Sequence, residues 1–188
     1  MSKIGKKPIT IPKGVKVLLG DNEITFEGKL GKLTKKINLE TISVEIQDDK
    51  ITVSNNKPLD KKSKAMYGTV ARAIQNGIKG VEEGFNTVLY LNGVGYKGVI
   101  KKDSELPYNY IILSIGKSYE PRVIIPDGVN VVIEKKTVMK ISGSNPELIG
   151  QFRAVLQSLR RRNPYKGSGI LTPAERLLPL KQGKTKSK

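Results

Sequence analysis

The chain has 188 residues and contains no histidine, cysteine or tryptophan. These absences exclude a Ser-His-Asp triad, a thiolate nucleophile, a disulfide framework and any zinc site that needs His or Cys ligands. Lys and Arg number 34 against 17 Asp and Glu, and the net charge of +17 at pH 7 favours a polyanionic partner, either nucleic acid or an anionic membrane surface.

The first half of the chain predicts a series of short strands followed by one helix. Alternation and β-branched residues, as in Ile51-Thr52-Val53, indicate the strands. They lie near residues 15–19, 23–27, 32–37, 42–46 and 51–54. Residues 61–79 have helical spacing. Gly77-Ile78-Lys79-Gly80 at their end is better explained as a glycine C-cap than as the G-x-x-G loop of a K-homology domain, because a strand follows it.

The second half predicts the same order, with more strands before its helix. The strands lie near residues 87–92, 96–102, 108–114, 121–125, 129–133 and 137–142. A second helix near 146–162 has Asn145 as its N-cap, Pro146 at its first position and Asn163-Pro164 as its end. Its apolar residues lie within one arc of ~120°, which is typical of a helix that covers a sheet.

A repeat relates the two halves. The run Ile11–Val17 (IPKGVKV) returns as Ile125–Val131 (IPDGVNV), with five of seven positions identical. Each copy leads into two strands that end at Gly28 and Gly143, and each helix carries Gly and Gln seven residues apart. The ordered set indicates a duplicated module. We therefore predict an α+β fold of two similar domains, each an antiparallel β-sheet packed against one α-helix.

Charge is distributed unevenly along the chain. Residues 1–81 carry a net charge of +8, residues 82–150 are neutral on balance, and residues 151–188 carry +9 with Glu175 as their only acid. Four of the seven Arg residues lie at 153–162, and Arg suits bidentate phosphate contact. The predicted parts are an N-terminal domain over 1–81, a C-terminal RNA-binding domain over 82–175 and a basic tail over 176–188.

The strongest candidate site is an RNA-binding surface near the C-terminus. One arc of ~100° on the second helix holds Arg and Gln with no acid after Glu147, whereas solvated helices usually mix charge signs. In the basic turn that follows, Tyr165 can stack on a base and Lys166 can neutralise phosphate. The glycines of that turn allow the backbone to approach the sugar–phosphate chain.

Two competing interpretations of this region are a solvated basic face and a Tyr165 ring that fills an edge of the domain's own core. We favour nucleic-acid contact, mostly within residues 82–188, because Arg is concentrated there. The candidate RNA-binding residues are Arg153, Gln157, Arg160, Arg161, Arg162, Tyr165, Lys166, Gly167, Gly169, Lys181 and Lys184.

A glycine-rich segment, Gly93–Gly98, fits the G-x-G-x-x-G pattern of nucleotide-binding loops. A Rossmann site needs a helix directly after the glycines, and a strand is predicted here, so we do not expect nucleotide binding. Two interpretations stay open. The segment is either a tight turn with glycine at positive φ or a turn from which Tyr96 and Lys97 project toward nucleic acid. Tyr96 and Lys97 are therefore further candidate RNA-binding residues.

Several segments together resemble the bacterial-type family of large-subunit ribosomal protein L-six. The similar segments are Ser2–Ile9, Gly93–Tyr96, Ile149–Phe152, Asn163–Ile170 (NPYKGSGI) and Lys181–Lys184. The resemblance implies two sheet-plus-helix domains that bind large-subunit ribosomal RNA mainly through the C-terminal domain. It also implies neighbouring large-subunit proteins and a position near the sarcin–ricin loop and the stalk base, where translation factors dock.

Two departures from the family pattern lie beside the signature. Ser168 stands where a basic residue is usual, and Leu171-Thr172-Pro173 replaces an Arg-Tyr after Ile170. Family contacts just beyond Gly169 are therefore not carried over to this chain. The resemblance implies a structural role on a ribosome, in the bacterial cytoplasm or in an organelle, with no catalytic residue, metal or cofactor.

Two other classes of protein are less consistent with the sequence. An RNA-modifying enzyme needs convergent acids, and only Asp48-Asp49 and Glu82-Glu83 are adjacent among the 17 acids. A membrane-surface protein needs a basic helix with exposed bulky apolar residues, whereas the second helix uses its apolar face on a sheet. The sequence has neither an apolar run of ~20 residues nor a signal-peptide core, so we expect a soluble, intracellular protein that binds no membrane.

Overall fold

The computed structural model describes residues 7–20, 23–37, 42–47, 50–55, 61–102 and 108–182. Its contacts divide the chain into two compact units. Unit 1 is Met1–Gly84 with Ser144–Pro146, and unit 2 is Phe85–Gly143 with Glu147–Lys188. Both combine antiparallel sheets with helices, so the predicted α+β class is confirmed. The structure places the boundary after Gly84 rather than after residue 81, because the first helix continues to Glu82.

The described residues of unit 1 form six strands and one long helix. In chain order they are β1 (Ile9–Thr10), β2 (Lys16–Leu19), β3 (Glu23–Gly28), β4 (Gly31–Lys36), β5 (Ile42–Gln47), β6 (Lys50–Asn55) and α1 (Lys61–Glu82). The strands form two antiparallel sheets, ordered β1-β6-β5 and β2-β3-β4, rather than the one sheet predicted for the domain. Strand β1 was not predicted, because two residues are too few to show alternation.

Helix α1 packs on both sheets of unit 1 through one apolar face. Ala71 and Ile74 on this face are fully buried, and Phe26 of β3 is fully buried beneath it. A Cβ at Gly77 would lie 2.5 Å from Cε2 of the Phe26 ring, so this position admits only glycine without a shift of the ring. Helix α1 continues to Glu82, so Gly77 and Gly80 lie inside it and the glycine C-cap predicted at residues 77–80 is wrong.

The glycine that ends α1 is Gly84. It has a φ of 76°, and its N–H donates to Lys79 O at 3.1 Å, the geometry of a left-handed residue closing a helix C-terminus. A glycine before a strand is the sequence signal for such a helix end, and both Gly80 and Gly84 provide it. The sequence alone therefore does not distinguish Gly84 from Gly80 as the end of the helix.

The described residues of unit 2 form seven strands and two helices. They are β7 (Phe85–Asn92), β8 (Lys97–Lys102), β9 (Asn109–Ser114), β10 (Arg122–Ile124), β11 (Val129–Glu134), β12 (Val138–Gly143), α2 (Pro146–Leu159), β13 (Gly169–Leu171) and α3 (Pro173–Leu177). The sheets are ordered β10-β9-β8 and β11-β12-β7-β13, and all pairs are antiparallel. Strand β13 and helix α3 were not predicted, and α3 crosses the predicted start of the tail at residue 176.

The sequence repeat corresponds to a repeated structure. Val15 and Val129 are both buried, and the backbone N–H of each donates across a turn, to Pro12 O and Pro126 O respectively, at 3.2 Å in both copies. Each turn leads into an antiparallel hairpin, β2–β3 in unit 1 and β11–β12 in unit 2. The duplicated module inferred from the sequence is therefore visible in the fold.

Helix α2 ends at Leu159, earlier than the predicted residue 162. A longer helix would bond Arg160 O to the N–H of residue 164, but Pro164 has no N–H to donate. Arg160 O instead accepts from Ile170 N–H at 3.0 Å, which directs the chain into β13. Arg160 and Arg161 therefore lie beyond the helix, in a segment that we call the basic loop (residues 160–169).

Candidate nucleic-acid interface

The basic loop is organised by Asn163. The side-chain Oδ1 of Asn163 accepts hydrogen bonds from the backbone N–H groups of Tyr165 at 2.9 Å and Lys166 at 3.2 Å. The Asn163 N–H donates to Ser168 O, and Asn163 O accepts from Gly167 N–H, both at 2.8 Å. These four bonds close a compact turn that holds Tyr165 and Lys166 at its surface.

Three side chains of the basic loop face solvent and are available to a ligand. The Tyr165 ring is 58% exposed, which contradicts the interpretation that it fills an edge of the core. Arg161 and Lys166 are exposed, and within the described residues their side chains form no hydrogen bond or ion pair. An aromatic ring beside two unpaired cations is the combination that binds a base and its phosphates.

The other Arg side chains of this region are partly committed to the protein itself. Nη2 of Arg162 donates to Leu178 O at 2.8 Å and Pro179 O at 3.3 Å, which fixes the segment after α3 against the loop. Nε of Arg160 donates to the Tyr96 hydroxyl at 3.2 Å. Arg153, on α2, is half-buried, and its Nε has no hydrogen-bond partner among the described residues.

Tyr96 lies in the core of unit 2 and does not project toward solvent. Its side chain is 9% exposed. The ring packs so closely on Gly93 that a Cβ at that position would lie 2.7 Å from Cε1 of the ring. The interpretation in which Tyr96 projects from its turn is therefore corrected: the ring is a core residue, and its hydroxyl orients Arg160. Lys97, at the start of β8, is exposed as expected.

Gly167 and Gly169 are buried and serve packing within the protein. They have φ values of 67° and 139°. A Cβ would lie 2.9 Å from Leu180 Cδ2 at Gly167 and 2.7 Å from Arg161 O at Gly169. The Gly167 oxygen also accepts from Asn92 Nδ2 of β7 at 2.9 Å. The expectation that RNA approaches the backbone at these two glycines is corrected, because protein atoms already fill the space in which a side chain would lie.

Gln157 is held by a carboxylate rather than left free. Its Nε2 donates at 2.8 Å to Oε2 of Glu175, the first-turn acid of α3. The same oxygen accepts from Thr172 N–H at 2.8 Å, and Thr172 Oγ1 accepts from Glu175 N–H at 3.3 Å, which completes a capping box. Gln157 therefore joins α2 to α3 and keeps its carbonyl oxygen and its second amide N–H for a ligand.

The basic tail begins beside the loop. Lys181 is exposed, and its backbone N–H donates to Pro164 O at 2.9 Å. Lys184, the other tail residue predicted to bind RNA, lies outside the described residues. In the part of the chain that the structure covers, no group of three or more Asp or Glu residues is arranged to hold a metal ion. No helix there is long and apolar enough to cross a membrane.

Comparison with known proteins identifies the family. The family model described as Ribosomal protein L6 matches residues 11–84 and 92–172, the first within unit 1 and the second almost entirely within unit 2. Large ribosomal subunit protein uL6 of Streptococcus uberis is 38% identical over 186 residues, covering 98% of this chain and 99% of that protein. The proteins of the same name from Streptococcus thermophilus and Streptococcus equi are 37% identical with the same coverage.

The chain belongs to the ribosomal protein L6 family. It is a structural, non-enzymatic component of the large ribosomal subunit, and the resemblance predicted from the sequence is confirmed. The alternative of an RNA-modifying enzyme is thereby overturned, and the expected location on a ribosome is confirmed, with bacterial relatives.

Three residues that build the interface, Asn163, Thr172 and Glu175, are not among the binding residues predicted from the sequence. The sequence indicates Asn163 as the end of a helix, and Asn is also typical of turns in which the side chain accepts backbone N–H groups. The capping-box pattern at Thr172 and Glu175 is visible in the sequence and predicts the start of α3. The departure at Leu171-Thr172 has a structural reason, because Leu171 is buried in β13 and Thr172 caps α3.

Proposed function

We propose that the basic loop and the face of α2 next to it bind large-subunit ribosomal RNA. The observation that carries the proposal is the exposed trio of Arg161, Tyr165 and Lys166 on a turn whose backbone is fixed by Asn163. A preorganised loop loses less conformational entropy on binding than a flexible one. Lys and Arg displace counterions from RNA, and the aromatic ring stacks on an unpaired base.

Within this interface the side chains have different roles. Arg161, Lys166 and Lys181 contact phosphates, and Tyr165 stacks. Arg162, Gln157 and the glycines hold the loop in shape, and Tyr96 positions Arg160. The protein then joins RNA segments that would otherwise repel one another, which is a structural and not a catalytic contribution.

We place the bound RNA near the sarcin–ricin loop and the stalk base, where translation factors dock and other large-subunit proteins are neighbours. The support for this position is the resemblance of residues 163–170 to the C-terminal signature of the family. Hydroxyl-radical footprinting of large-subunit RNA with the full chain tests it. We expect protection in these two RNA elements, and the protection there weakens in a variant with Arg161→Ala and Lys166→Ala. Protection confined to other RNA regions contradicts the placement.

A further inference from the structure

A pocket of about 380 Å³ opens between α2, the basic loop and α3. Its volume lies within the roughly 300–1,000 Å³ of pockets that hold small ligands. Its apolar lining comes from Ala154 and Ile170, and its polar lining includes Gln157, Ser158, Arg161 and Glu175. The pocket therefore adjoins the proposed RNA surface and combines apolar contact with a few polar groups, as sites for planar ligands do.

Glu175 contributes an unused acceptor to this pocket. Its Oε2 accepts from Gln157 Nε2, Thr172 N–H and Thr172 Oγ1 at 2.8, 2.8 and 3.0 Å. Its Oε1 accepts no hydrogen bond within the described part of the chain. A capping box is equally satisfied by Gln, so the cap does not require the second carboxylate oxygen. This is the only acid in residues 151–188, and it repels phosphate unless a donor of the RNA meets it.

The pocket also offers a donor. Arg161 lines it with a guanidinium that has no partner among the described residues. A ligand that binds both Oε1 of Glu175 and the Arg161 guanidinium needs N–H donors on one edge for the carboxylate and acceptors on the adjacent edge for the guanidinium. Guanine has this arrangement, because N1–H and N2–H₂ lie on its Watson–Crick edge while O6 and N7 are acceptors that suit Arg. Adenine, cytosine and uracil lack two adjacent donors on that edge.

We infer that this pocket receives one unstacked guanine of the bound RNA. Oε1 of Glu175 accepts from N1–H and N2–H₂, and the ring lies on the exposed methyl group of Ala154. Arg161 donates two of its five N–H groups to O6 and N7 and keeps the others for the phosphate contact proposed above. Sequence-specific contacts to RNA commonly use bases splayed out of single-stranded loops and bulges. The inference rests on the proposed RNA interface and adds base specificity to it.

The test measures binding of the full chain to four heptanucleotide RNAs that have three uridines on each side of a central G, A, C or U. We expect the G-containing RNA to bind about tenfold more tightly than the other three. Glu175→Gln keeps the capping box but presents an amide donor to the pocket, so it reduces the preference to within about twofold. Glu120→Gln removes the same charge outside the pocket and leaves the preference intact.

Ala154→Leu provides an independent variant, since it fills the pocket while Leu is a good helix former. It lowers affinity for the G-containing RNA to that of the uridine RNA, and it decides the question if Glu175→Gln does not fold. Equal binding of the four RNAs by the unmodified chain overturns the guanine pocket while the proposed interface stands. A preference that survives both variants overturns it too. Failure to bind both the heptanucleotides and large-subunit RNA removes the proposed function together with the pocket.

Discussion

The two units share a hairpin-and-helix module, but the basic loop of unit 2 differs from the hairpins of both units in how its charges are paired. The hairpins hold exposed ion pairs, Lys32 with Glu27 at 3.1 Å in unit 1 and Lys140 with Glu134 at 2.6 Å in unit 2. In unit 2, Arg161 and Lys166 have no partner among the described residues, and the Glu175 carboxylate accepts from neutral groups instead. Exposed ion pairs add only about 0–1 kcal/mol, so pairing has little influence on folding. A cluster of unpaired like charges is unfavourable in the free protein, and an anionic partner offsets that cost.

The units also differ in how the chain continues after the hairpin. Helix α1 has 22 residues and continues along both sheets of unit 1, whereas α2 has 14 residues and stops before Pro164. The chain then returns to β7 through β13 and forms the basic loop on the way. Net charge is similar at the two ends of the chain, at +8 for residues 1–81 and +9 for residues 151–188. Local structure and charge pairing, rather than total charge, therefore distinguish the proposed RNA surface.

The largest effect is expected from Gly169→Ala. The new Cβ would meet Arg161 O at 2.7 Å at a φ of 139°, so we expect the free energy of unfolding to fall by about 2–5 kcal/mol. Chemical denaturation of the full chain measures it. Gly95→Ala is the matched control, because it has a φ of 73° but open space, and it isolates backbone strain at about 1–2 kcal/mol. An equal decrease in the free energy of unfolding in the two variants would show that the contact of the new Cβ with Arg161 O contributes nothing to the effect at Gly169.

A second pair of glycine variants compares the helices of the two units. Gly77→Ala places a Cβ 2.5 Å from the Phe26 ring and destabilises by about 1–3 kcal/mol. Gly150→Ala in α2 meets no atom within 4 Å, so it stabilises by about 0.5–1 kcal/mol through helix propensity. Thermal unfolding of both variants measures the two shifts. The same sign for both would contradict the packing described for α1.

Replacement of Tyr165 separates stacking from stability. Tyr165→Ala loses a stacked ring, so we expect RNA affinity to fall by about 1–3 kcal/mol with an almost unchanged salt dependence. The ring is exposed in the free protein, so the melting temperature changes little. Tyr165→Phe retains the stacking surface and is the control. A lower melting temperature with unchanged affinity would assign the ring to the core instead.

Much of the fold was predictable because its signals are local, whereas the interface depends on distant contacts. The Ile11–Val17 and Ile125–Val131 repeat predicted two similar hairpins, and alternation predicted most strands. Tyr96 meets Arg160 across 64 positions of sequence, and Asn92 meets Gly167 across 75. No local pattern encodes such contacts. The sequence therefore indicated which segment carries the cations, but not which of them the protein uses for its own structure.

The most direct test of the account compares two double variants of the full chain for binding to large-subunit RNA at several salt concentrations. One replaces Arg161 and Lys166 with Ala, and the other replaces Lys13 and Lys16, which are exposed cations of unit 1. The slope of log K against log salt is negative, and each lost phosphate contact reduces its magnitude by about 0.7–0.9. We expect a decrease of about 1.4–1.8 for the Arg161 and Lys166 variant and almost none for the Lys13 and Lys16 variant. Equal decreases, or a larger decrease from the unit 1 variant, would contradict the claim that the basic loop is the RNA interface.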